Sequence, residues 1–283
     1  MTSIILALVD GSTYAKSVCD HAAWAAARMQ AGVDLLHVLD RPAAQHSDLS
    51  GAITLGARTA LLDELATLDE QRSKLLQQKG RAILDDARAI LEAAGQKVVG
   101  AHLRQGEFVE TVIEQEGPAG MIMIGKRGEE ADVASLRLGA HLERFIRASH
   151  KPVFVASRAF RPIDSVIVAY DGGASSRRLV DHIARSPLFA GLAIDLVTVG
   201  QTTRETEKSQ EDARAILEAA GLSVDTTILP GQPETVLADR VAQNGACLVA
   251  MGAYGHSRIR SFVLGSTTSD MLRSCKAPVV LMR

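Results

Sequence analysis

Short apolar runs alternate with amphipathic stretches along the whole chain, and the rhythm falls into two halves. In the first half the apolar runs cover roughly 3–9, 33–39, 97–103, 119–124 and 152–156; in the second they cover roughly 164–170, 193–199, 223–229, 246–251 and 278–282. Runs of this length, bounded by turn residues, predict buried strands. Between the first two, Ala15, Val18, Cys19, Ala22 and Ala26 recur at the spacing of one helix face, and Gly32 stands where a helix stop is expected. Strands alternating with helices in this way predict parallel sheets with right-handed crossovers, covered by helices on both faces. The expected fold class is α/β: two tandem doubly wound, Rossmann-like domains, each with a five-stranded parallel sheet.

The two halves are copies of one another. Asp86-Ala-Arg-Ala-Ile-Leu-Glu-Ala-Ala-Gly95 recurs letter for letter at Asp212 to Gly221, which marks an internal repeat. Val9-Asp10-Gly11-Ser12 answers to Tyr170-Asp171-Gly172-Gly173, Gly125-Lys-Arg-Gly128 to Gly252-Ala-Tyr-Gly255, and His150-Lys-Pro152 to Cys275-Lys-Ala-Pro278. The paired aspartates lie 161 positions apart and the repeated helices 126. The first copy therefore carries about 35 extra residues, mainly within 41–80, where leucines from Leu61 to Leu76 keep a helical rhythm. The domains are expected at 1–157, with this helical insertion, and at 163–283, joined by a linker from Ser157 to Ile163.

Composition narrows the function classes. With 31 basic and 33 acidic residues the net charge is −2, which supplies no electrostatic reason for nucleic acid or an anionic membrane as partner. No apolar run is long enough to span a bilayer. Ile4 to Val9 lacks a preceding basic region and reads as a strand rather than a signal peptide. Cys19, Cys247 and Cys275 lack metal or redox spacing and read as small buried hydrophobes in a reducing cytoplasm. The histidines form no metal pattern.

The chemistry-bearing segment follows the fourth strand of copy two. Gly252-Ala-Tyr-Gly255 is followed by nine residues and then by Gly265-Ser266-Thr267, which opens a helix. Gly252 and Gly255 allow a sharp turn and a close backbone approach to a ligand. Gly265 and Ser266 offer N–H groups and a hydroxyl at a helix N-terminus, where the dipole favours an anion. The bland alternative is that these glycines serve only turning and helix packing. The spacing Gly252-x2-Gly255-x9-Gly265-Ser266 resembles the nucleotide-binding pattern of the universal stress protein family, and the order of landmarks in both copies resembles its two-domain members.

The resemblance implies a role for each matching position. Asp171 would lie near the adenosine moiety and the Val199 backbone would meet adenine. Gly252, Gly255, Gly265 and Ser266 would hold ribose and phosphates, with His256 and Thr267 adjacent. The implied ligand is an adenine nucleotide, ATP with or without Mg. The alternative for Asp171 is that of a helix cap. It also implies domains that pair through their last strands, Pro152–Ala156 and Pro278–Met282, with room for a further homodimer.

Copy one keeps Asp10 and Val38 but alters the loop. Gly125-Lys-Arg-Gly128 is followed by ten residues and Gly139-Ala140, so the spacing is one too long and the hydroxyl is missing. Glu129, Glu130 and Asp132 add carboxylates where phosphates need cations. Asp10, Val38, Gly125, Gly128 and Gly139 thus make a degenerate second site. The near P-loop at Gly120 to Arg127 is an accident, because its spacer is the strand itself. Copy two shows no P-loop lysine or evident general base. The expectation is an ATP-binding stress-response regulator with at most weak ATPase activity. A nucleotide-independent interaction module and a slow ATP-hydrolysing enzyme are the alternatives.

Overall fold

The computed structural model describes residues 3–40, 55–128, 140–245, 247–253 and 266–283. In copy one the strands are β1 (Ile4–Leu8), β2 (Gly32–Asp40), β3 (Val98–Gly106), β4 (Met121–Gly125) and β5 (Val153–Ala156), and the helices are α1 (Ala15–Met29), α2 (Leu55–Ala93), α3 (Phe108–Gln115) and α4 (Ala140–Ala148). Copy two repeats the order with β6 (Ser165–Ala169), α5 (Ala174–Arg185), β7 (Ala193–Val199), α6 (Arg204–Ala219), β8 (Val224–Leu229), α7 (Pro233–Asn244), β9 (Cys247–Gly252), α8 (Ser266–Ser274) and β10 (Val279–Met282). A short 3-10 turn, Pro187–Phe189, separates α5 from β7.

The ten described strands form one sheet in the order β3-β2-β1-β4-β5-β10-β9-β6-β7-β8. Pairing is parallel within each copy and antiparallel only at the junction, where Val155, Phe154 and Val153 face Val279, Val280 and Leu281. These six residues are almost completely buried, as strands covered on both faces must be. One apolar layer runs under α1, α2, α5 and α6 from Ile5 through Phe154 to Val280 and Leu217. The other runs under α3, α4, α7 and α8 from Leu6 through Phe145 to Met271 and Leu281. Both layers cross the boundary between the copies.

Side chains reinforce that boundary. Arg28 of α1 donates through Nε to the Leu188 carbonyl at 2.7 Å and through its guanidinium to the Ala190 carbonyl, while lying over the Trp24 ring. Arg283 donates to the Arg147 carbonyl at 2.5 Å. His21, fully buried in α1, binds the Ser17 carbonyl at 2.7 Å and sits between the rings of Phe154 and Phe160. Ser17 in turn donates to the Ser157 carbonyl at the start of the linker.

Two features differ from the sequence pattern, and a third, the long second helix, follows it. The stop of α1 is Gln30, which takes the left-handed conformation with φ 49°, and Gly32 opens β2 instead. A Cβ on Gly32 would come within 2.5 Å of Val99 Cγ1, so glycine is needed there for strand packing. β3 continues to Gly106 because Arg104, Gln105 and Gly106 pair with Val38, Leu39 and Asp40; an edge strand tolerates polar residues that a central one does not. Within the 41–80 insertion, residues 41–54 lie outside the described residues, and from Leu55 the chain is already in α2. That helix has 39 residues against 16 in α6, and Leu65, Leu68 and Leu75 along it are exposed.

Two outcomes follow from this packing. Phe154→Ala removes a fully buried ring at the junction and should cost about 3–5 kcal/mol in chemical denaturation, with both halves losing structure in one transition. Burial holds the pKa of His21, and that of His182, below the ordinary 6.5. The unfolded chain then takes up protons that the native one refuses, so stability present above pH 6.5 declines as pH falls below it. Urea midpoints measured at descending pH should show that decline, and His21 should titrate by NMR below the unfolded value.

Candidate functional site

In each half the strand order reverses direction beside the first strand, between β1 and β4 and again between β6 and β9. The crevice beyond the carboxyl ends of such strands is where open α/β sheets take ligands. In copy two the register Ala169↔Val197 and Ala169↔Met251 carries three strand ends to one edge. Asp171, Val199 and Gly252 therefore emerge together there, from β6, β7 and β9.

Asp171 is exposed at this edge. Its Oδ1 accepts the Gly173 N–H at 2.8 Å and the Ser176 hydroxyl at 2.6 Å, an Asx turn that fixes the carboxylate before α5 begins. The cap position belongs to Gly173, which has no side chain to supply the bond. Gly172 takes φ 72°, a conformation that favours glycine. A Cβ on Gly252 would lie 2.6 Å from Ser175 Oγ, 3.0 Å from Ser175 Cβ and 3.0 Å from the Ser176 nitrogen. Glycine at 252 therefore lets the β9 end sit directly against the N-terminus of α5, whether or not a ligand is present. Val199 is half-buried against the core layer under α7 and α8, and the N–H of Gly200 after it donates to the Leu229 carbonyl at 2.8 Å.

Gly255, His256 and Gly265 lie outside the described residues. Ser266 begins α8, with Thr267 next along it. Sequence reasoning did not single out Ser175 and Ser176; the signal was present in Asp171-Gly-Gly-Ala-Ser-Ser176, two hydroxyls in the first turn of a helix that follows an aspartate.

Copy one repeats the aspartate turn. Asp10 Oδ1 accepts the Ser12 N–H at 3.0 Å and Ser12 Oγ accepts the Tyr14 N–H at 3.2 Å. A Cβ on Gly125 would come within 2.8 Å of Tyr14 Cβ, and one on Gly128 within 3.2 Å of Asp10 Oδ2, so the loop after β4 lies against the aspartate. Val38 is half-buried in β2; Gly139 lies outside the described residues. Its neighbour His37 is buried and donates from Nδ1 to the Val9 carbonyl at 2.7 Å, a structural role. The loop lysine is committed elsewhere: Lys126 is buried and donates to the Cys275 carbonyl of copy two. Desolvation pulls its pKa below the ordinary 10.5, against the pull of Cys275 and with the help of Arg127.

The three cysteines are free and buried. Burial pushes Cys19 up to about 12 and Cys247 up to about 11, which removes thiolate chemistry at neutral pH. Among the described residues no cluster of His, Cys, Asp and Glu is arranged to hold a metal ion, and no helix is long and apolar enough to cross a membrane. Gly252→Ala should destabilise the chain by about 1–3 kcal/mol, since the Ser176 backbone cannot retreat without moving α5. Denaturation of that variant beside Ser176→Ala, expected to lose about 1 kcal/mol with the carboxylate bond, measures both terms.

Comparison with known proteins agrees with this architecture. The model of the universal stress protein family matches residues 1–157 and again 162–283. Universal stress protein Slr1230 of a Synechocystis strain is 36% identical over 99% of both chains. Among solved structures, a universal stress protein from Archaeoglobus fulgidus superposes with a TM-score of 0.69 at 20% identity, covering 98% of this chain and 97% of its own. A functionally unknown protein, PA1789 of Pseudomonas aeruginosa, gives 0.59 at 16% identity, with 99% and 92% covered. The two solved structures speak to the fold. The double family match and the full-length relative go further: this chain is a tandem member of the universal stress protein family.

Proposed function

We propose that the chain is an ATP-binding regulatory protein of the stress-response type, with the nucleotide held by the second copy. The observation that carries this reading is the meeting of Asp171, Val199 and Gly252 at one switch point, followed in sequence by Gly255, Gly265 and the helix that starts at Ser266. The exposed carboxylate, already oriented by Gly173 and Ser176, is suited to a ribose or adenine donor. The Val199 backbone offers adenine an edge. Gly255, Gly265, Ser266 and Thr267 would cradle the phosphates, with His256 beside them and Mg accompanying the charge. This chain's residues bind and orient; none of the described ones is set to activate water, and turnover above background is not expected.

In this reading the domains are 1–157 and 163–283, and copy one is the structural partner. The commitment of Lys126 to Cys275 supports that division, because it takes the loop's buried cation away from a nucleotide in the copy-one crevice. The Asp10, Val38, Gly125, Gly128 and Gly139 set remains degenerate. The β5–β10 junction makes an internal pseudo-dimer, and two such chains can associate as a homodimer. A nucleotide-independent interaction module is the second reading, favoured by the exposed leucines of α2.

Calorimetric titration with ATP tests the first reading. One site per chain is expected, abolished in Gly265→Asp, where a carboxylate meets the phosphates, and retained in Asp10→Ala. No heat with the wild-type chain would favour the interaction module.

A further inference from the structure

Because β5 and β10 run antiparallel, the carboxyl edge of copy one lies beside the amino edge of copy two. A cleft of about 860 Å3 opens there, between the loop after β4, the linker, the α7–β9 turn and the α8–β10 turn. Six cations line it: Lys126, Arg127, Arg158, Arg161, Arg273 and Lys276. Among the described residues lining it none is an aspartate or glutamate. In a chain of net charge −2, that concentration of one sign is a local feature and not a consequence of composition.

Among the described residues most of this charge is uncompensated. Arg273 approaches Glu143 and Asp270 only at 3.8 Å. Among the described residues Arg127, Arg158, Arg161 and Lys276 form no ion pair. Arg158, Arg161, Arg273 and Lys276 are exposed, so their side chains can turn toward a guest. Mutual repulsion already acts on the buried member, since the Arg127 charge adds to desolvation in lowering the Lys126 pKa. An anion in the cleft would relieve both effects.

The buried lysine of the cleft is particular to copy one. The repeat places Ala253 where copy one has Lys126, and Ala253 is buried. Concave walls with one sign of charge focus the field on a small guest, and the volume lies within the range of about 300–1,000 Å3 common for small-molecule sites. Guanidinium groups favour phosphate through paired N–H bonds. Buried Ile163, Val241 and Leu272 add apolar wall beside the cations, which suits the organic part of a phosphorylated molecule.

We propose that this inter-copy cleft binds a small molecule carrying two or more phosphate groups, at a site separate from the switch-point crevice of copy two. The two lie at opposite ends of β9: Cys247 lines the cleft and Gly252 faces the crevice, about 16 Å apart along the strand. Ligand in the cleft would touch the linker and both copies at once, and so would bias their relation directly.

Sodium tripolyphosphate is the probe. The full chain, Arg158→Glu/Arg161→Glu and Arg158→Gln/Arg161→Gln are titrated by calorimetry in about 150 mM NaCl, a concentration that screens surface charge to about 8 Å. The same proteins are treated with phenylglyoxal, and modification at Arg158 and Arg161 is mapped by mass spectrometry with and without the probe. Expected are saturable binding, a Kd at least tenfold weaker in the glutamate variant and intermediate in the glutamine variant, and protection of both arginines in the wild-type chain. The phenylglyoxal map locates the probe even if the copy-two loop also takes it. An unchanged Kd in the glutamate variant, unprotected arginines, or the same protection from chloride at equal ionic strength would each overturn the proposal.

Discussion

The antiparallel pairing of β5 with β10 governs the rest of the molecule. A parallel five-stranded sheet leaves its last strand with an unpaired edge, and the edge residues here are apolar: Val153, Phe154 and Val155 in one copy, Val279, Val280 and Leu281 in the other. Exposed, those edges would invite association. Paired, they fuse two sheets into one and let both core layers run through the junction. The same pairing sets the directions of the two copies. Their switch points open at opposite edges of the sheet, so the copies cannot share one crevice.

That geometry frees the copies to diverge. Both keep the aspartate turn after the first strand, Asp10 with Ser12 and Asp171 with Gly173, because the turn shapes the start of the following helix in either case. They part at the loop after the fourth strand. In copy two a glycine at 252 packs against α5 and a small Ala253 follows. In copy one Lys126 reaches into the partner half to bind the Cys275 carbonyl. A residue that could have served phosphate in copy one instead ties the copies together.

Much of this was legible in the letters. The strands recurred as apolar runs because parallel strands are buried on both faces, and the duplicated Asp86–Gly95 and Asp212–Gly221 helices end at glycines with φ 74° and 81°, as their stop position requires. The misreadings have local causes. Gly32 looked like a helix stop because glycine at that distance usually is one; its actual constraint, the Val99 side chain across the sheet, lies 67 positions away in sequence. Ser176 was missed because its importance depends on where the helix turn puts its hydroxyl relative to Asp171. Lys126 was read as part of a loop, and only the junction reveals its partner. Long-range partners set by tertiary packing were hidden, whereas periodicity and turn chemistry were not.

The central claim is that the second copy holds the nucleotide and the first supports it. Photolabelling of the full chain with 8-azido-ATP, followed by peptide mapping, tests it most directly, because the reactive group sits on the adenine. The account predicts label on copy-two peptides containing Asp171 or Val199, suppressed by excess ATP. Suppressible label confined to copy-one peptides containing Asp10 or Val38 would contradict it.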